Sequence, residues 1–541
     1  MSTNGRLCSR WYTAIVLSCA CIAAQMGLQA QGISTGPELD RSTTRSQYFR
    51  GITKDMFPLI SRLKISGISK QPDGSLSVRL LTLDSDGNFV PLQSVASRIT
   101  TKVICRSQSP ISFSSDLEAS SASPKNASSS AFIAIDNSIM SGTLTRDVIL
   151  SIKSALLGGS PLSDSIGVGS FNQSLTTLQQ VGPAQRVLEN LSADDLRPAS
   201  GVSALYASAI SAASELEQAR GVKSLIIVTT SGDNASAIWN SRDVARYLKD
   251  AGIGVYVIRV GYDMASFPLR YIASYTGGCV YTVEDDESST IGDVIREILY
   301  AQRWNSVLTA QAGVEDVADC DSPWLRVELE GDSIQPAVAD SIILTPREVL
   351  ISTSPAVVAL FDDQTDVGLQ QYYPLLLSIA ERLSKDINMK IELSGHVGSD
   401  VAEAADQRAL ERAENVKNFL LINGALDKQV ITRSEGSRKP RYYFQDDGSR
   451  RIMNNRVEAV LITSEQRPST IIVDQVSNED EATKQRSVWV ARDFQVYYEP
   501  VIDKGDVAYR IVLWGYQSKA LAEAAAAKIK KQYKPRFTIV E

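Results

Sequence analysis

Histidine is almost absent from this chain: His396 is the only one in 541 residues. Its rarity removes most histidine-based catalysis and most histidine-ligated metal sites. Cysteine is scarce as well, and its six copies form neither a Cys-x-x-Cys pair nor a Cys/His cluster, so the sequence offers no zinc spacing. A surplus of positive charge is also missing. The net charge of −7 gives no general attraction to nucleic acid, which needs a concentrated basic face. The one long apolar run, Trp11–Met26, falls short of the ~20 residues that span a bilayer. What is present is ordinary folded material, 43% hydrophobic and 22% charged, over a length that asks for several domains.

The apolar run lies behind Arg6 and Arg10 and ahead of Leu28-Gln-Ala30, so residues 1–30 read as an export signal cleaved before Gln31. A retained membrane anchor is the alternative, and Val16-Leu-Ser-Cys19 loosely resembles a lipobox. The expected location is the periplasm or the outer-membrane-associated envelope of a Gram-negative bacterium, with membrane association indirect or through a lipid. Removal of the signal leaves Cys105, Cys279 and Cys320, an odd number for an oxidising space. Cys279 is expected at a buried strand start, while Cys105 and Cys320 are the better candidates for a bridge.

Between residues 130 and 302, apolar strand runs alternate with helix-period segments, the pattern of a parallel sheet covered on both faces. Expected strands are 131–135, 165–171, 224–229, 253–260 and 278–282; expected helices are 145–157, 204–219, 241–251 and 291–301. The loops Ile135-Asp136-Asn-Ser138, Gly167-Val-Gly-Ser-Phe171, Gly201-Val-Ser203-Ala-Leu205 and Thr230-Ser231-Gly-Asp-Asn resemble successive signatures of von Willebrand factor A (vWA) domains. The resemblance implies a doubly wound sheet with Mg²⁺ at its carboxyl edge, held by an Asp-x-Ser-x-Ser loop, a Thr and the Asp of a Thr-Asp-Gly loop.

Asp136, Ser138 and Ser203 keep matching oxygens. Met140 stands where the second serine belongs and Ser231 replaces the third-loop carboxylate, although Ser141 or Asp233 could shift in. A thioether is a poor partner for a hard cation, and one carboxylate attracts it weakly. The expectation is a domain without cofactor, with Mg²⁺ as the alternative. Its loops either capture a partner without metal or pack against their neighbours.

Residues 31–129 read as a β-rich region with strands at 63–68, 76–83 and 102–105, parted by the turns Pro72-Asp-Gly74 and Asp84-Ser-Asp-Gly87. The Ser- and Ala-rich stretch 112–130 reads as a linker. Residues 303–347 add strand-like runs at 324–329 and 341–345, and both flanks are expected to join in one small sandwich with the vWA-like unit inserted between them.

Residues 348–464 carry the most informative motifs: Ser394-Gly-His396-Val-Gly398, Ala409-Leu-Glu-Arg412-Ala413, Ser434-Glu-Gly436-Ser-Arg-Lys-Pro440 and Asn454-Asn-Arg456-Val-Glu458. Their order resembles the OmpA-like domain, a peptidoglycan-binding βαβαβ fold, over roughly Leu350 to Thr463. In that family a loop aspartate and a helix arginine grip the diaminopimelate of a peptidoglycan stem. A planar guanidinium meets a carboxylate in two parallel hydrogen bonds, which a lysine cannot reproduce. Arg412 falls at the arginine position and is expected from the resemblance to project into an acid-seeking cleft, while Gly398 stands at the aspartate position, so Asp400 or Asp406 would have to take its place. His396 is expected to order its loop through the ring nitrogens, with ligand contact as the alternative. Asn454 and Arg456 either brace the site or lie on a solvated strand end.

Residues 465–541 hold strand-like runs and the alanine-rich helix pattern 519–532. Tyr509-Arg-Ile-Val-Leu-Trp-Gly515-Tyr with Ala522-Glu-Ala-Ala-Ala-Ala-Lys528 resembles the repeat of SPOR domains, which bind peptidoglycan glycan strands; a plain α+β cap remains the other reading. The expected fold class is multidomain α/β and α+β: a β-rich flank, a doubly wound vWA-type parallel sheet, an OmpA-like βαβαβ domain and a small C-terminal α+β unit. The expected function is a non-enzymatic envelope protein that couples an unidentified protein partner to peptidoglycan. A structural assembly subunit, whose two degenerate sites have become protein–protein surfaces, is the alternative.

Overall fold

The computed structural model describes residues 59–540 apart from 72–74, 93–97, 105–110, 119–127, 158–164, 262–266, 312–323, 345–354, 363–368, 399–401, 443–447, 463–468 and shorter interruptions. The export signal, Cys105, Cys320 and Asp400 lie outside the described residues.

The described chain opens with β1 (Arg62–Lys70), β2 (Leu76–Leu83), β3 (Ile99–Ile104) and β4 (Ile111–Glu118). An α/β unit follows as β5 (Ser129–Asp136), α1 (Leu144–Leu157), β6 (Ser165–Phe171), β7 (Leu175–Pro183), α2 (Ala184–Asn190), α3 (Leu205–Glu215), β8 (Val222–Thr229), α4 (Ser241–Asp250), β9 (Ile253–Val260), α5 (Phe267–Thr276), β10 (Val280–Val283) and α6 (Ser288–Ala301). The chain then returns to the first region as β11 (Ser306–Gln311), β12 (Trp324–Leu329) and β13 (Val338–Ile343).

Both flanks of the α/β unit share one sheet, in the order β1-β2-β11-β4-β3-β12-β13. β4 lies in the stretch expected to be a linker. It is a strand because β3 and β11 pair with it on either side, and a pairing partner almost 190 residues downstream leaves no local signal. The sheet curls until its outer strands meet, where the Asp340 carboxylate of β13 accepts from the Ile65 amide of β1 at 2.8 Å. The expected sandwich is therefore a single curled sheet. Alternate residues of β12, Leu325, Val327 and Leu329, turn inward and pack with Val78, Leu80 and Val103.

The second sheet runs β10-β9-β8-β5-β6-β7. Every residue of β5 is buried, as a central strand between two helical layers requires. Separate apolar clusters lie on the two faces, one around Ile133, Val148 and Ile298, the other around Phe132, Leu225 and Leu248. β7 is an antiparallel edge that the sequence did not announce, because Leu175-Thr-Thr-Leu-Gln-Gln is half exposed and carries no continuous apolar run.

Next come β14 (Ala356–Leu360), α7 (Tyr373–Lys385), β15 (Lys390–His396), α8 (Ala402–Ile422), β16 (Val430–Gly436), α9 (Gly448–Asn454) and β17 (Arg456–Ile462), with sheet order β14-β17-β15-β16. β15 and β16 are parallel, and the long helix α8 makes the crossover. Gly395 lets that helix settle onto β15, since a Cβ there would stand 1.8 Å from the Ala409 carbonyl oxygen. The last unit is β18 (Ser469–Val476), α10 (Glu479–Val490), β19 (Val496–Asp503), β20 (Asp506–Tyr516), α11 (Lys519–Tyr533) and β21 (Ile539–Val540), in the antiparallel order β19-β20-β18-β21. Asn478 caps α10 by accepting from the Glu481 amide at 2.8 Å. Among the described residues, no helix is long and apolar enough to cross a membrane.

Candidate functional site

Asp136 ends β5 at the carboxyl edge of the parallel sheet, where loops from neighbouring strands converge. Its carboxylate is fully buried. Oδ2 accepts from Thr229 Oγ1 at 2.7 Å, Ser231 Oγ at 3.0 Å and Ser203 Oγ at 3.2 Å, and Oδ1 accepts from the Ser138 amide at 3.0 Å. Burial pushes the carboxyl above its ordinary range, against the pull of those donors. Ser138 Oγ is buried with no hydrogen-bond partner among the described residues. Ser141 Oγ donates to the Ser138 carbonyl at 2.7 Å, and Met140 is exposed.

Asp233 is engaged elsewhere. Its two oxygens accept from the Tyr206 and Ser236 amides at 3.0 and 3.2 Å, which caps the first turn of α3, and burial pushes its carboxyl up to about 6. One carboxylate ringed by donating hydroxyls does not fit a divalent cation, which asks for several anionic or carbonyl oxygens directed at one point.

The Asp136 loops face another domain. The Asn234 side chain accepts from the Ser203 amide at 2.9 Å, and the Asn234 carbonyl accepts from the Val357 amide of β14 at 2.8 Å. Val202, Ala204, Ala235 and Ala237 from the vWA-like side share one apolar cluster with Val357, Val358 and Tyr372.

Arg412, on the inner face of α8, is 1% exposed. Its Nη1 donates to Asn455 Oδ1 at 2.8 Å and to the His396 carbonyl at 3.2 Å, and its Nη2 donates to the Asp362 carbonyl at 3.4 Å. The Phe361 ring lies against the guanidinium, 5.0 Å from centroid to carbon. The expectation of an arginine projecting into an open cleft is corrected: the side chain is turned inward. Close packing of α8 on β15 at Gly395 points this helix face into the domain.

Asn455 Oδ1 also accepts from the Gly398 amide at 3.1 Å, so one side chain fixes both the arginine and the residue at the aspartate position. Asp406 does not move into that position. It pairs with Arg438 at 2.7 Å and accepts from Ser434 Oγ at 2.9 Å.

His396 is buried, with Nε2 3.4 Å from Glu458 Oε2, and neither ring nitrogen makes a hydrogen bond among the described residues, so the expectation that these nitrogens order the loop is corrected. Burial, aided by the nearby Arg456 charge, holds the imidazole below its ordinary pKa against the pull of Glu458. Burial works against the Glu458 charge, yet Arg456 and His396 hold its carboxyl well below the usual range. Arg456 Nε donates to Glu458 Oε1 at 2.7 Å and its Nη2 to the Lys439 carbonyl at 3.3 Å. Asn454 accepts from the Arg441 and Tyr442 amides at 2.6 and 2.8 Å. Both residues are buried braces of the segment 439–442, which rules out a solvated strand end. Asn455 was not singled out from the sequence; its signal was the doubled asparagine ahead of Arg456, of which only the first was weighed.

Family models match in three places: the von Willebrand factor type A domain over residues 133–297, the OmpA family over 360–453 and the SPOR domain over 466–539. The chain carries vWA, OmpA and SPOR domains, in that order. The last match decides the C-terminal unit in favour of SPOR over a plain cap. Similar solved structures include the peptidoglycan-associated lipoprotein from Burkholderia pseudomallei, at 27% identity over 19% of this chain and 88% of that one, TM-score 0.19. An aerotolerance-related membrane protein from Bacteroides fragilis is 17% identical over 32% of this chain and 98% of that one, TM-score 0.26. The C-terminal domain of Helicobacter pylori MotB is 23% identical over 21% of this chain and 88% of that one, TM-score 0.19. No curated protein matches.

Proposed function

We propose that this vWA–OmpA–SPOR protein is a non-enzymatic tether of the Gram-negative cell envelope, which holds peptidoglycan through its OmpA and SPOR domains and couples it to a protein partner through the vWA domain without metal. The observation that carries this reading is the presence of two domain types of the peptidoglycan-binding class within residues 360–539. Two modest sites on one chain raise the effective concentration of each for a repeating polymer, so avidity exceeds either affinity.

Within the OmpA domain, Arg412 reads the stem carboxylate once its buried side chain is released from Asn455 and Asp362, because a planar fork matches that group in two parallel bonds. The aspartate position holds Gly398, and Asp406 is already paired with Arg438. A ligand ammonium left without a charge-assisted contact there costs about 1.5–3 kcal/mol, roughly ten- to a hundredfold in affinity. The second wall-binding domain offsets that loss.

Co-sedimentation of the full chain with purified peptidoglycan tests the proposal. Wild type pellets with the polymer, and Arg412→Lys, which keeps the charge and loses the fork, pellets less. A wild type that stays in the supernatant instead supports a structural subunit of an envelope assembly. The burial of Arg412, at 1% exposure, favours that second reading.

A further inference from the structure

β14 is an edge strand of the OmpA sheet and pairs within it only with β17. Edge strands expose unpaired backbone groups and are usually covered or blunted. Here the cover is the vWA domain. The ladder shifts register between Val357 and Ala359, and the Val357 amide goes to the Asn234 carbonyl of the vWA loop. Around that bond, Val202, Ala204, Ala235 and Ala237 are buried against β14 and its neighbours.

The other end of the same strand closes the Arg412 site. Phe361, directly after β14, lies against the guanidinium, and its amide donates to the Asn455 carbonyl at 2.8 Å. Asp362 contributes the carbonyl that accepts from Arg412 Nη2. All five residues of β14 are buried, so the vWA clamp and the Arg412 cover lie at opposite ends of one short, packed strand, roughly 16 Å long at the usual rise.

We propose that the OmpA domain caps the Asp136 face of the vWA domain in cis, and that this docking holds the Arg412 site shut. A stem carboxylate that reaches the guanidinium displaces groups that now hold it, the Asp362 carbonyl and the Phe361 ring among them, which moves β14 and strains the clamp at Asn234. Binding of the diaminopimelate carboxylate and release of the vWA face are therefore one equilibrium, and each favours the other by the same factor. Release bares the small apolar residues around Ala235 and Ala237, which gives the vWA domain a partner surface only where wall is present. This inference rests on Arg412 being the carboxylate reader.

The test uses the full chain with meso-diaminopimelate as the probe. Ala237→Glu places a charge in the docking cluster, remote from the Arg412 contacts, and is expected to tighten calorimetric affinity for the probe about tenfold, a coupling of ordinary size. Hydrogen exchange on wild type guards against a misfolded variant: saturating probe is expected to speed exchange at Val357 and across 234–237. Probe binding with equal affinity in both proteins and unchanged exchange would overturn the coupling and leave the wall-binding reading intact. Failure of both proteins to bind the probe would overturn the inference together with the assignment of Arg412 as reader.

Discussion

Asn455 and Arg412 form the central contact of the OmpA domain, with the asparagine Oδ1 accepting from the guanidinium Nη1 at 2.8 Å in a site closed to solvent. The same oxygen anchors the Gly398 amide, so α8, the Gly398 loop and the turn into the last strand meet on one atom.

Removing that atom leaves a buried cation short of an acceptor. Asn455→Ala is expected to cost about 2 kcal/mol, the usual worth of a hydrogen bond to a charged group. In scanning calorimetry the OmpA transition should fall by several degrees while the vWA transition moves little; equal displacement of both would contradict a local role.

His396 is the chain's only histidine, which makes it a clean spectroscopic probe. Its folded pKa lies below the ordinary 6.5, chiefly because of burial. Stability from this group is present above the unfolded value and is lost as pH falls below it, since the unfolded chain then binds the proton first. An NMR titration of untagged protein should show a midpoint below 6.5, and a midpoint above it would refute the buried neutral imidazole.

Asp233 behaves in the opposite sense. Its carboxyl is raised from 3.8 to about 6, so the folded state binds the proton more tightly and gains stability as pH falls through that window. Relative to Asp233→Asn, the wild-type vWA transition should therefore rise between about pH 7 and about pH 5, as followed by calorimetry. A wild type and variant with the same pH dependence would remove the assignment.

Asp136 accepts from three hydroxyls and an amide. Millimolar MgCl₂ or EDTA is accordingly expected to leave the vWA melting transition unchanged, because an ion that binds the folded state would raise it by mass action. A rise with MgCl₂ that EDTA reverses would show that the hydroxyl ring opens for metal.

The alternation of strands and helices in the vWA region was legible because each element carries its own apolar period, as in the uniformly buried β5. β4 and β7 were not, since Ser- and Gln-rich segments become strands only through the neighbours that complete their ladders. Of the candidate site residues, Arg412 and His396 were singled out by spacing, which could not show that both are buried. Asn455 was passed over beside Asn454, because two adjacent asparagines look alike until the turn between α9 and β17 sends them to different partners.

The sequence by itself determined the vWA-like and OmpA-like domain types, their order and the two departures from the family patterns, Ser231 and Gly398, because residue identity and spacing along the chain are local facts; the C-terminal unit stayed open between SPOR and a plain cap. Only the tertiary structure decided that Arg412 faces inward, that Asp406 is bound to Arg438, and that the Asp136 loops rest against β14. Those outcomes depend on which surfaces meet between separate segments of the chain, 32 residues apart for Asp406 and Arg438 and 123 apart for Asn234 and Val357, and such contacts leave no periodicity to read.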